Sequence, residues 1–108
     1  MMNPKNMGKM MKQAQQMQKK MGEVQQKLSE IEITGIASDG LVKVVMDGKQ
    51  KVIDIKIDSL LLNEEIDMLE DLILTAVNQA VIKSHELAEK HMNDVTGNLL
   101  GNIKLPGM

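Results

Sequence analysis

Eight apolar residues near the start of the chain, Met7, Met10, Ala14, Met17, Met21, Val24, Leu28 and Ile31, follow one another at alternating steps of three and four. That spacing puts all of them on one edge of an α-helix and predicts a seam about seven turns long. On the same seven-residue repeat, Lys5, Lys12 and Lys19 fall opposite the seam, while Lys9, Lys20 and Lys27 lie to its sides. Glutamines fill much of the remaining surface, and only Glu23 and Glu30 oppose the positive charge. Asn3 suits the helix N-cap, with Pro4 at the first helical position, where a missing N–H costs nothing. Gly22, on the solvent side, costs roughly 1 kcal/mol relative to alanine and reads as a tolerated interruption or a slight flex point.

After residue 30 the apolar period changes from seven to two. Residues around Ile31, Ile33 and Gly35 begin a strand, Ser38-Asp39-Gly40 turns it, and Leu41 to Met46 forms the next. Asp47-Gly48 suits a two-residue type I′ turn. Val52 to Ile57 is a third strand, with Ile53, Ile55 and Ile57 on one face and Asp54 and Lys56 on the other. The result is a three-stranded antiparallel meander with two open edges, for which strand-mediated dimerisation is a natural remedy. Asn63 is expected to cap a second helix, with Glu64, Glu65 and Asp67 near its positive end. Its core-facing stripe runs from Ile66 through Val81, and small Ala76 and Ala80 permit close approach to the sheet. The pattern thins beyond Ser84, where a break or a second short helix is expected, and Thr96-Gly97 ends it. The expected fold class is therefore α+β in one domain, 1–108. A projecting helix fills 1–30, a sheet 31–58, a helix 63–95 and a flexible tail 96–108.

Charge is segregated along this plan. Residues 1–30 carry a net charge of +4 and residues 61–92 a net charge of −5, within a chain of net charge −2. A polyanion would be repelled by the body, so only a projecting helix could hold one. There is no Phe, Tyr or Trp, which removes the stacking platforms used on single strands and RNA. All thirteen positive residues are lysine. Arginine is the usual reader of guanine edges, so a nucleic-acid role here rests on phosphate contacts and groove shape. The lysine bias has an equally simple source in a low-GC genome.

Other chemistry is poorly served. The absence of cysteine excludes disulfides and thiolate metal sites. His85 and His91 are six apart and fall on different helix faces, so they form no i, i+4 metal pair. Asp39-Gly40 and Asp47-Gly48 are turn residues without calcium-loop spacing. No nucleophile motif or glycine-rich phosphate loop is present. An enzyme is not expected, nor a cofactor, a small-molecule substrate or a membrane span. The first ten residues lack a continuous apolar run, which predicts a cytoplasmic location.

Several stretches together resemble the YbaB/EbfC nucleoid-associated proteins. These are Met11-Lys12-Gln13-Ala14-Gln15-Gln16-Met17-Gln18, Ile33-Thr34-Gly35, Gly40-Leu41-Val42-Lys43-Val44 with a glycine at 48, and Ile57-Asp58. Leu69-Glu70-Asp71-Leu72-Ile73 with Ala76, Asn78, Ala80 and Lys83, then Thr96-Gly97 and Leu105-Pro106-Gly107-Met108, continue the likeness in order. The resemblance implies a bacterial homodimer joined largely through its sheets, whose helices project like tweezer arms with DNA between them. Ser59 stands where the family often has proline, and the lack of arginine weakens any carry-over of base-specific recognition.

The expected partner is thus double-stranded DNA in the nucleoid, gripped by a homodimer with little base specificity. Lys5, Lys9, Lys12, Lys19 and Lys20 are the candidate phosphate contacts, and Gln13 and Gln16 the candidate hydrogen-bond donors. Lys83 and Lys90 are secondary candidates. From Lys5 to Lys19 is about 21 Å at 1.5 Å rise per residue, comparable with the width of a duplex. The seam near the sheet (Val24, Leu28, Ile31) is expected to pack, while Met7, Met10 and Met17 are expected on the arm. The rival reading is a protein-interaction scaffold with the Met/Gln helix as a docking arm; RNA binding is less favoured.

Overall fold

Lys, Gln and Met, all good helix formers, dominate the first 27-residue element and outweigh its two glycines. A computed structural model describes the backbone of residues 4–100 and the side chains of residues 6–97. In it α1 runs from Pro4 to Glu30, passing Gly22 without a break. Three strands follow, β1 (Glu32–Ala37), β2 (Val42–Asp47) and β3 (Val52–Ile57), in the antiparallel order β1-β2-β3. A second helix, α2 (Ile66–Leu100), completes the described chain. Asn3 and residues 101–108 lie outside the described residues.

The alternation of β2 decides where the core sits. Val42, Val44 and Met46 point to one face and are fully buried there beneath α2. Leu69, Leu72, Ile73, Val77 and Val81 surround them, and Ala76 and Ala80 sit at the point of closest approach. Opposite those alanines lies Gly35. A Cβ added at Gly35 would overlap the Ala76 carbonyl oxygen and stand 2.7 Å from the Ala80 nitrogen, so the helix backbone rests directly on the strand.

α2 covers β1 and β2 and stops short of β3. Val42 pairs with Ile57 and Val44 with Ile55, so these isoleucines share the face of the core. Even so, Ile53, Ile55 and Ile57 are 46–49% exposed in the single chain.

Local details depart from expectation in three places. The hairpin between β2 and β3 is not a two-residue type I′ turn. Gln50 N–H donates to the Asp47 carbonyl (3.2 Å), Asp47 N–H donates to the Lys51 carbonyl (2.9 Å), and the positive φ falls on Gln50 at 67°. This is a three-residue loop with its left-handed residue last. The Asp47 side chain holds it, Oδ1 accepting from the Lys49 and Lys51 amides at 2.8 and 2.9 Å. Secondly, Asn63 does not cap α2. Asp58 Oδ1 accepts from the Leu60 amide (2.9 Å) and starts a 3-10 turn, Ser59–Leu61, which buries Leu61 before the helix can begin at Ile66. Lastly, α2 has no break near Ser84 and continues past Thr96-Gly97 to Leu100. Ser84 is fully buried and its hydroxyl donates to the Asp47 carbonyl at 3.0 Å, so the helix is tied to the hairpin where the apolar pattern thins.

The molecule is long. Its radius of gyration is 20.9 Å and its long axis 72 Å; a compact chain of this length would have a radius near ~13 Å. Both helices outrun the six-residue strands: α2 is 35 residues long, and α1 docks only through its last two turns. Val24 and Leu28 are buried, and the Gly48 amide donates to the Leu28 carbonyl at 2.8 Å.

Candidate nucleic-acid interface

From Asn6 to Glu23 every residue of α1 is exposed, and the lysines are carried on this free length. Lys9, Lys12, Lys19 and Lys20 all reach solvent, with Gln13 and Gln16 between them. The side chain of Lys5 lies outside the described residues. Among the described residues no carboxylate forms an ion pair with an α1 lysine; the ion pair found is His85–Glu89, 3.3 Å apart and exposed on α2. Gln26 donates to Glu30 at 3.2 Å, which occupies one of the two acids of α1 within the helix itself. Among the described residues the row of ammonium groups is therefore neither neutralised nor covered.

The two secondary candidates sit on α2. Lys90 is exposed. Lys83 is turned onto the sheet, its ammonium donating to the Thr34 carbonyl at 3.1 Å. One turn earlier Gln79 accepts from the Ile36 amide at 2.7 Å. Neither contact follows from motif or charge pattern, though the Ala76/Ala80 stripe carries a partial signal. A helix lying that close to β1 brings the next residues round its edge.

Methionine lines the other side of the arm. Met7 and Met10 are each 53% exposed, Met17 43% and Met21 40%, so the seam closes only at Val24. Among the described residues no three His, Cys, Asp or Glu side chains converge as metal ligands, and no helix is long and apolar enough to cross a membrane.

The sequence pattern of the YbaB/EbfC DNA-binding family matches residues 2–99, nearly the whole chain. The chain belongs to the YbaB/EbfC DNA-binding family. It is 42% identical over 94 residues to a nucleoid-associated protein of Legionella pneumophila strain Corby, covering 87% of this chain and 84% of that one. Its counterpart in strain Paris matches to the same extent. The fold of this family member is also similar to the crystal structure of an uncharacterized Helicobacter pylori protein. There the TM-score is 0.65 at 21% identity, over 93% of this chain and 99% of the other. As in the sequence, the likeness runs through helix, meander and helix as one unit.

Proposed function

We propose that this family member is a nucleoid-associated protein of the bacterial cytoplasm that binds double-stranded DNA as a homodimer. The exposed row Lys9, Lys12, Lys19 and Lys20, together with Lys5, supplies phosphate contacts, and Gln13 and Gln16 donate to the backbone or to base edges. Lys90 is a secondary contact. Lys83 adds to it only if its ammonium leaves the Thr34 carbonyl. The observation that carries this reading is the exposed lysine row of α1, with which no carboxylate among the described residues forms an ion pair. Lysine without arginine or aromatic residues favours phosphate over base contacts, so affinity varies little with sequence.

The physical mechanism is counterion release. Each phosphate neutralised contributes about −0.9 to the slope of log affinity against log salt. Two arms on one dimer raise the effective concentration of the second contact once the first is made. The test is a gel-shift series in increasing salt, using unrelated duplexes and the variant Lys12→Glu with Lys19→Glu. Binding should fall steeply with salt, vary little between duplexes, and vanish in the variant while its sedimentation is unchanged. Undiminished binding by the variant overturns the assignment.

A second reading rests on the methionine side of the arm. Met7, Met10 and Met17 form an adaptable apolar strip, suited to docking another protein. Such a contact would be nearly indifferent to salt, which separates it from DNA binding in the same titration.

A further inference from the structure

Hydrogen peroxide meets one kind of readily oxidised side chain in this protein. There is no cysteine and no aromatic residue, which leaves the thioethers of eleven methionines. Five of them, Met7, Met10, Met11, Met17 and Met21, lie on the free length of α1 and are 40–63% exposed, against 1% for Met46 beneath α2. Met68 is exposed to a similar degree, but it belongs to α2, which is pinned to the sheet through buried Ala76, Ala80 and Ser84. The arm has no such support. Every residue from Asn6 to Glu23 is exposed, so its helicity is set by the propensities of its own side chains. Methionine serves that purpose well, being unbranched and free of groups that compete for backbone hydrogen bonds. Met7 with Met10 and Met11, and Met17 with Met21, also stand at the i, i+3 and i, i+4 spacings at which apolar side chains support a helix.

We propose that these five methionines form a peroxide-sensitive modification site, whose oxidation unwinds the arm and so weakens its hold on DNA. The DNA consequence rests on the function proposed above; the oxidation and the unwinding do not. In each step a thioether lone pair attacks one oxygen of hydrogen peroxide. An S–O bond forms, the O–O bond breaks, and the departing hydroxide takes the proton of the sulfur-bound hydroxyl to leave as water. Sulfur is oxidised by two electrons and the peroxide reduced by two. The sulfoxide is polar and chiral, and its oxygen accepts hydrogen bonds from water and from backbone N–H groups outside a helix. It thus removes the apolar pairs of the arm and adds a competitor to its backbone bonds. No charge changes, and the seam lies opposite Lys12 and Lys19, so the phosphate contacts themselves stay the same. What binding loses is the cost of winding the arm again. Methionine sulfoxide reductases, one for each epimer, reverse the modification.

The test treats the full chain with hydrogen peroxide beside a variant carrying Met7→Leu, Met10→Leu, Met11→Leu, Met17→Leu and Met21→Leu. Leucine keeps the volume and the helix propensity without the thioether. Peptide mass mapping should show oxygen added to the five arm methionines well before Met46; equal rates overturn the site. Helical circular dichroism of the wild type should fall by up to roughly a quarter, the share of α1 and α2 between Asn6 and Glu23. The reductases should restore it, and the leucine variant should keep its signal although Met68 is still oxidised. Undiminished helicity in the oxidised wild type, or an equal loss in the variant, overturns the unwinding. On duplex DNA, oxidation should weaken wild-type binding by about tenfold at every salt concentration with the log–log slope unchanged. An unweakened affinity or a shallower slope overturns the link to binding. Reduced wild-type protein that binds no DNA overturns the functional reading instead, while mass mapping and dichroism still decide the modification and the unwinding.

Discussion

The amide of Gly48 donates to the carbonyl of Leu28 across 2.8 Å, joining the β2–β3 loop to the last turn of α1. This bond satisfies one of the carbonyls that a helix end leaves without an internal partner. It also explains the glycine: a Cβ at position 48 would stand 2.7 Å from the Leu28 oxygen and 3.0 Å from its Cα. The φ of Gly48 is not positive, so close approach is what the position demands.

Gly48→Val should therefore loosen the arm at its base. A loss of about 1–3 kcal/mol is expected from overpacking, read by urea denaturation. DNA affinity should fall with it, because an arm no longer held at one angle must be ordered on binding.

Gly35→Ala should be more damaging. The added methyl meets backbone atoms of Ala76 and Ala80, which cannot rotate away, so the whole of α2 must lift from the sheet. A loss above about 3 kcal/mol is expected, visible as a large drop in melting temperature. The bonds from Gln79 and Lys83 to β1 should be lost with it.

Single neutral replacements along α1 should change the salt dependence of DNA binding one contact at a time. Lys12→Gln or Lys19→Gln should reduce the log–log slope by about 0.9 for each phosphate contact removed. The measurement is affinity at several salt concentrations. An unaltered slope would place that lysine away from the DNA.

Ser84→Ala should cost about 1–2 kcal/mol by chemical denaturation, because it deletes the buried hydroxyl that donates to the Asp47 carbonyl. Ser84→Val, which adds bulk without a donor, should cost more. Both should leave the arm lysines untouched.

The long-range plan of the fold was legible because each element carries its own period: three-four steps in α1, strict alternation in β3, and a wide apolar stripe in α2. Where a residue serves two elements, local patterns misled. Asp47-Gly48 reads as a hairpin dipeptide, yet Gly48 is there for α1 and the positive φ passes to Gln50. Asn63 reads as a cap, yet Asp58 starts a 3-10 turn first. Ile53, Ile55 and Ile57 alternate like buried residues, although they stay about half exposed among the described residues. Lysine is ambiguous in sequence for a related reason: Lys83 and Lys12 have the same chemistry, and only tertiary packing turns one onto a carbonyl and leaves the other in solvent.

The exposure of α1 from Asn6 to Glu23 has a mechanical corollary. A rod clamped at one end has a span set by its length alone. Inserting seven residues ahead of Val24 would extend it by about 10.5 Å and rotate its outer portion by only ~20° relative to the clamp. Span is thus a freely adjustable dimension of this architecture, tunable without redesigning the globule that supports it.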